Sequence, residues 1–414
     1  MTAPSYDIVV FGATSFVGQI LTRYLSGHLA GQAETLRWAI AGRSEAKLND
    51  LKRSLGTAGQ SLPIIVADAG NESQLRALCA QTRVVVSTVG PYALYGEPLV
   101  KVCVESGTDY CDLTGETQWI KRMIDKYESA ARKTGARIVH CCGFDSVPSD
   151  MGVWFLQQQA MRQWGVPATH VKMRLQTLKG GASGGTVASV INVVKEAAAD
   201  PSLRKELVNP YALCPKGHGF KARQHYVKSA EFDSAFDAWI APFVMAAINE
   251  RVVHRSNALS GNAYGTQFTY DEAILTGSGL KGRLKALNTV AGLGAFMAGI
   301  LIGPVRGVMQ RFLLPKPGVG PNPEAQLAGR YDLRFFGRTD DGQSLRVKVT
   351  GDRDPGYGST GKMLGQAAIS LARDLVEDGV KVGRPGGFWT PATLFDARFV
   401  ERLTRHAGLR FERL

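Results

Sequence analysis

Short runs of β-branched and other apolar residues alternate with amphipathic stretches over the first third of the chain, the pattern of a parallel sheet covered by helices on both faces. Strands are predicted at Tyr6–Phe11, Leu36–Ala41, Pro63–Ala67, Arg83–Thr88 and Arg137–Cys141, with helices beginning near Ser15, Glu45, Glu72, Glu97 and Thr117. Leu99, Val102 and Cys103 share one helix face, Pro98 stands in a first turn, and Gly107 and Gly135 follow their helices where a left-handed cap is wanted. After Gly143 the pattern changes to a helix Ser149–Trp164, a strand His170–Leu178, a glycine cluster Gly180–Gly185, a helix Thr186–Ala199 and a polar surface loop over Asn209–Ser229. Alternation at Arg330–Arg338 and Ser344–Thr350, across Thr339–Gln343, predicts a hairpin, and helices are expected over Gly361–Glu377 and after Thr393. The fold class read from this is α/β: a doubly wound parallel sheet over residues 1–148, a second α+β domain over 149–385, and a C-terminal helix within 386–414 packing back on the first domain.

Composition narrows the picture. A chain of 414 residues exceeds what one core usually serves, and 44% apolar with 21% charged residues is an ordinary globular mixture. The formal charge of +13 favours anionic partners: cofactor phosphates, an acidic carrier protein, an anionic membrane surface or nucleic acid. Because the positive charges are spread along the chain and no nucleic-acid-binding signature accompanies them, nucleic acid is not expected. The six cysteines form no CxxC pair and the seven histidines no HxxxH, so no metal site is expected. The first residues lack a secretory pattern, which together with unpaired cysteines points to the cytoplasm. The uncharged stretch Ala286–Val305 lies between basic residues and is as long as one bilayer crossing, yet four glycines dilute it. It reads as a buried or dimer-forming helix, a surface anchor that would make the protein peripheral at the inner face of the plasma membrane, or a true span.

Immediately after the first strand stands Gly12-Ala13-Thr14-Ser15-Phe16-Val17-Gly18, a GxxGxxG turn with Ser15 at the middle glycine. Within a strand-turn-helix this is a Rossmann-type dinucleotide loop: Gly12 permits the tight turn, Gly18 lets the helix approach the sheet, and the helix amino end offers N–H groups to a pyrophosphate. Where an acidic residue would hold the ribose hydroxyls of NAD, the second strand ends in Arg43, with Ser44 and Lys47 nearby, so a 2′-phosphate and hence NADP(H) is inferred. Asp68, ending the third strand, is placed near the adenine or as a cap of the next helix. Thr88, Val89, Gly90 and Pro91 follow the fourth strand at the sheet edge where nicotinamide and substrate are expected.

These pieces, together with Asp109–Glu116, Cys142–Asp150, Gly180–Thr186, Pro315–Gly318 and Thr390–Ala392, resemble the saccharopine dehydrogenase-like oxidoreductases, and among them the trans-acting enoyl reductases of polyketide-derived lipid assembly. The resemblance implies a two-domain NADPH-dependent reductase of an α,β-unsaturated acyl thioester, carried by a carrier protein or coenzyme A. Enolate stabilisation and protonation need donors, for which Tyr92 and Tyr95 are the leading candidates and Asp145 and Ser146 the alternatives. Each also has a plain role open to it, in packing or helix capping. A saccharopine-like amino acid or imine dehydrogenase, and an NADPH-binding scaffold at a membrane, are the competing readings. Gly356–Met363 imitates a Walker A loop but has Met363 where a hydroxyl is required, so it is rejected. Cys141 and Cys142 are expected to be inert buried thiols.

Overall fold

The computed structural model describes residues 4–30, 36–181, 184–313, 319–377 and 384–414. Residues 182–183 of the expected glycine cluster and the tract 315–318 lie outside them. The chain forms two compact units, one of Met1–Phe144, Gly318–Gly320 and Gly356–Ala407, the other of Asp145–Pro317, Pro321–Pro355 and Gly408–Leu414.

The first unit is a seven-stranded, wholly parallel sheet. Six strands come from its first segment: β1 (Tyr6–Phe11), β2 (Trp38–Gly42), β3 (Ile64–Val66), β4 (Thr82–Ser87), β5 (Asp109–Asp112) and β6 (Arg137–Val139). The seventh, Gly387–Trp389, comes from the second segment, and the order across the sheet is Gly387–Trp389, β6, β5, β4, β1, β2, β3. Strand order reverses between β1 and β4, which makes their carboxyl ends the ligand crevice of an open α/β sheet. Ile8, Val9 and Val10 of β1 and Val84, Val85 and Val86 of β4 are wholly buried, as strands covered on both faces require.

Two strands escape a reading by apolar runs. β5 is Asp-Tyr-Cys-Asp, and its acidic ends are tolerated because Asp109 pairs with buried Arg137 of β6 while Asp112 is saturated with donors. The other, Gly387–Trp389, is three residues long. A larger departure concerns residues 356–385, expected in the second domain: they belong to the first unit. The helix Thr360–Ile369 lies on the helix Phe16–Ala30 through two glycines, since a Cβ on Gly361 would stand 2.9 Å from Ile20 Cγ2 and one on Gly365 2.8 Å from Tyr24. The terminal helix Ala397–His406 packs against Thr360–Ile369, and Tyr24 donates to the His406 carbonyl at 3.1 Å.

The second unit holds a mixed seven-stranded sheet in the order Leu409–Arg413, Ser344–Gly351, Arg330–Arg338, His170–Lys179, Thr269–Gly277, Ala238–Pro242, Glu231–Asp233. The predicted hairpin is present, Arg330–Arg338 pairing antiparallel with Ser344–Gly351. The helix Val147–Trp164 covers one face, with Gly152 seated where a Cβ would be 2.4 Å from the Phe335 ring. A helix that apolar periodicity did not announce, Ala246–Leu259, is buried without a break from Ile248 to Asn257. The helix that carries the uncharged stretch begins before it, at Gly279, and ends at Leu301, while Pro304 opens a second helix, Gly303–Phe312. Gly279–Leu301 is long and apolar enough to cross a membrane, but its most apolar window is only 17% buried, so it is not the core helix that was one of the expectations.

Candidate functional site

The site grows out of the turn after β1. Gly12 adopts φ +82°, and a Cβ there would meet Val89 Cγ2 at 2.6 Å. Its amide and that of Ala13 donate to the Ala41 carbonyl of β2, at 2.9 and 3.1 Å, which locks the turn to the neighbouring strand. Gly18 is held closer still, with the site of a Cβ 2.2 Å from the Gly12 carbonyl oxygen. No side chain fits at either position, so the helix amino end sits directly on the turn. Ser15 does not merely replace a glycine. Its Oγ accepts from the Gly18 amide at 2.9 Å, capping the helix, and shares a 2.9 Å hydrogen bond with Thr88 Oγ1. Thr88 in turn donates to the Gly12 carbonyl at 2.9 Å through its hydroxyl and to that of Phe11 at 3.0 Å through its amide. The loops after β1 and β4 are thus tied across the point where strand order reverses.

The first-turn amides of Phe16 and Val17 precede any carbonyl that the helix could offer them, leaving a positive, donor-rich end. The Phe16 ring meets Tyr357 edge-on, centroids 5.1 Å apart, which holds it beside that end. Thr14 gives its carbonyl to Gln19 Nε2 at 3.2 Å. Beyond β2, Arg43 is exposed and makes no hydrogen bond or ion pair among the described residues, and neither does the Lys47 ammonium. Ser44 Oγ caps the helix Glu45–Ser54 by accepting from the Lys47 amide at 3.4 Å. Asp68 folds its carboxylate onto the Gly70 amide at 2.8 Å, and the cap of the following helix is Asn71 instead.

After β4, Val89 donates its amide to Ser87 Oγ at 3.4 Å and the Gly90–Pro91 peptide is cis. The short helix Tyr92–Tyr95 follows, its first amides bound by buried Glu116, whose carboxylate accepts from Tyr92 and Ala93 at 2.9 Å each. The two tyrosines part company here. Tyr92 is 3% exposed and its hydroxyl donates to the Ser87 carbonyl at 3.0 Å, an anchoring role that corrects its candidacy as a proton donor. Tyr95 is 51% exposed, and its hydroxyl makes no hydrogen bond among the described residues.

Asp145 and Ser146 belong to the second unit. Ser146 is wholly buried, 3.1 Å from Asn249 Oδ1, and Asn249 donates onward to Glu272 at 2.8 Å; the serine is committed to an interior network rather than to a solvent-facing site. Nor does it cap the helix Val147–Trp164, which carries no side-chain cap bond. Asp145 is half-buried.

One cluster was missed from the sequence. Asp112, at the end of β5, accepts from Tyr110 Oη at 2.9 Å, the Thr114 amide at 3.1 Å and the Cys141 amide at 3.3 Å, and lies 2.7 Å from His140 Nδ1. Its carbonyl takes the Cys142 amide at 2.8 Å. Burial, and then the Asp112 charge, push the Tyr110 hydroxyl well above its ordinary value, so it stays a donor. The cluster fixes Cys141 at φ +61°, a strained conformation for a residue with a Cβ, and so shapes the turn that leads to Gly143 and Phe144 at the sheet edge. The signal was present in Asp109–Glu116 as a motif, but a buried acid in a four-residue strand reads as a loop. Cys141 and Cys142 are buried, and neither is in a disulfide.

The residues around the turn fit an NADP molecule: a donor-rich helix end over a turn with no room for side chains, and a cation without a protein partner where the 2′-phosphate would lie. Residues 8–139 match the family described as the saccharopine dehydrogenase NADP binding domain. Among solved structures, apo saccharopine dehydrogenase (L-Glu forming) from Saccharomyces cerevisiae shares the fold with a TM-score of 0.51 at 13% identity, over 98% of this chain and 99% of that one. Two relatives are much nearer in sequence. A Mycobacterium tuberculosis (strain H37Rv) protein provisionally named a trans-acting enoyl reductase is 38% identical over 97% of this chain and 96% of its own length. A trans-acting enoyl reductase of Mycobacterium bovis (strain BCG Pasteur) is 34% identical over 96% of this chain and 95% of its own. With its NADP-binding domain and likeness running almost end to end, the chain is an NADP-dependent oxidoreductase and belongs to the family of the trans-acting enoyl reductases.

Proposed function

We propose that this oxidoreductase reduces the carbon–carbon double bond of an α,β-unsaturated acyl thioester, acting in trans on a chain held by a carrier protein or coenzyme A during assembly of a polyketide-derived lipid. The observation that carries the reading is the unpartnered Arg43 beyond a glycine turn closed to side chains, in a chain whose relatives are named enoyl reductases over nearly their whole length. NADPH supplies the hydride when bound. The chain's own residues then bind and orient: the amides of Phe16 and Val17 take the pyrophosphate, and Arg43 with Lys47 takes the 2′-phosphate. Ser15 and Thr88 act indirectly, by keeping the two loops at one fixed separation. The hydroxyl of Tyr95 is the donor for the thioester oxygen, where negative charge develops as the double bond is reduced.

The experiment is NADPH oxidation by the purified chain with enoyl thioesters of increasing length, on coenzyme A and on a phosphopantetheinylated carrier protein, against amino-acid and imine substrates. Turnover confined to the enoyl thioesters is expected. Turnover of the amino acids alone replaces this reading with a saccharopine-like dehydrogenase, and NADPH binding without any turnover reduces the protein to a scaffold.

A further inference from the structure

Between Glu272 and Glu324 the sequence holds no acidic residue but six basic ones: Lys281, Arg283, Lys285, Arg306, Arg311 and Lys316. The two helices of this stretch, Gly279–Leu301 and Gly303–Phe312, form a hairpin. At Gly299 an added Cβ would stand 2.6 Å from Met309 Sδ, and Arg306 closes the bend by donating to the Ile300 carbonyl at 2.9 Å. The long helix is seated near its start, with Gly282 against the Gly277 carbonyl and Ala286 buried over the sheet. Farther along, large apolar side chains face solvent: Leu301 at 57%, Ile302 at 53%, Val308 at 56% and Phe312 at 71% exposed. Apolar surface of this extent marks an interaction site.

Three features choose the occupant. From Ala286 to Leu301 the rod carries no charge over roughly 24 Å, enough to enter a bilayer. The return helix is only about 15 Å long and carries Arg306 and Arg311, so the hairpin cannot re-cross the hydrocarbon, and its depth is limited to what those side chains can reach by snorkelling. A second copy of the chain, docked symmetrically on this face, would bring the same cations together with no carboxylate from the stretch to offset them. A surface of lipid phosphates offsets all of them.

We propose that this hairpin docks the protein on an anionic phospholipid bilayer, with the tip at Leu301 and Ile302 and the Phe312 end entering the boundary between headgroups and acyl chains, while the basic residues pair with phosphates. The docking rests on the hairpin alone and is independent of the reductase reading.

Flotation of the full chain with vesicles tests it. Binding to phosphatidylcholine vesicles that contain phosphatidylglycerol, absent from pure phosphatidylcholine and weakened by salt, is expected. Changing Lys281, Arg283 and Lys285 together to Gln should lower vesicle affinity by about a hundredfold. The pair Ile302→Asp and Phe312→Asp, both at exposed positions, should lower it at least about tenfold. NADPH binding retained by both variants shows that the fold is intact. Flotation of the native chain on neither vesicle, or equally on both, overturns the proposal. So does sedimentation showing a dimer that Ile302→Asp splits, without lipid binding by either form. A chain that floats on anionic vesicles but reduces no enoyl thioester keeps the docking and loses the reductase reading.

Discussion

In the first unit, buried strands are mostly apolar and polar side chains gather where the strands end; in the second, the helix Ala246–Leu259 buries Asn249, Glu250, Arg251, His254, Arg255, Ser256 and Asn257 in one run. The partners of that run come from distant segments. Arg251 donates to the Leu207 carbonyl, Arg255 to that of Leu213, and Ser256 to Asp150 at 2.6 Å. One strand away, wholly buried Arg174 lies between Asp233 and Asp271, with Nη2 2.7 Å from a carboxylate oxygen of each. The Asp271 contact is close but poorly aligned for a hydrogen bond, so it is chiefly an electrostatic pairing. Burial and then the Glu272 charge raise the Glu250 carboxyl well above its ordinary range. The difference teaches that the second unit adds to its apolar core a long buried polar run, in which the loss of one member strands the charges and donors it had offset.

The largest effect should come from removing one member. Arg174→Met removes the buried cation shared by Asp271 and Asp233, leaving only Lys172 at 3.2 Å beside Asp233, and should cost about 3–5 kcal/mol in denaturant unfolding; a loss under about 1 kcal/mol would break the contrast between the units. Gly18→Val in the first unit should act on the ligand instead. With its β-carbon 2.2 Å from the Gly12 oxygen, the turn must open, and NADPH affinity measured by fluorescence titration should fall on the order of a hundredfold.

Acid should weaken both units through buried histidines. Burial, reinforced by Arg251, lowers His254 from 6.5 to about 3, and burial with His406 and Arg402 lowers His28 of the first unit to about 4. The unfolded chain takes up these protons near 6.5, so stability is complete above that pH and is lost as pH falls toward those lower values. For His254 the loss reaches about 2–3 kcal/mol by pH 4.5, and thermal melts of His254→Phe should be flatter across this window than those of the native chain. Arg43→Asp should weaken NADPH binding about tenfold to a hundredfold while sparing NADH, since it removes a charge-assisted bond worth about 1.5–3 kcal/mol; equal losses for both cofactors would remove the 2′-phosphate assignment. The smallest change separates the tyrosines: Tyr92→Phe should cost about 1 kcal/mol of stability for its lost hydrogen bond, whereas Tyr95→Phe should lower kcat and leave the melt unchanged.

The same contrast explains what could be read from the sequence. β1 and the starts of the helices at Glu45, Glu72, Glu97 and Thr117 are local features, fixed by apolar runs, caps and glycines, and they match the structure residue for residue. The turn at Gly12 and Gly18 is equally local. Ser15 was legible as an exception but not as a cap, because Thr88 reaches it from 73 positions away. β5, the Asp112–His140 pair and the helix Ala246–Leu259 were illegible for one reason: their polar residues look solvent-facing until the partners that neutralise them are brought together by the fold. Gly361 and Gly365, four apart, were the available hint that the helix Thr360–Ile369 lies flat against another helix.

Neither unit is a single stretch of chain, and this bears on how the protein is made. On the ribosome the early strands can pair while Ile20, Leu21 and Tyr24 still lack the glycine face that covers them, and the edge of β6 stays open until Gly387–Trp389 is synthesised. At about 5–20 residues per second this exposure lasts on the order of tens of seconds. A nascent chain stalled anywhere in the second unit would therefore present a sticky, half-closed sheet, a substrate for chaperones rather than a working cofactor domain.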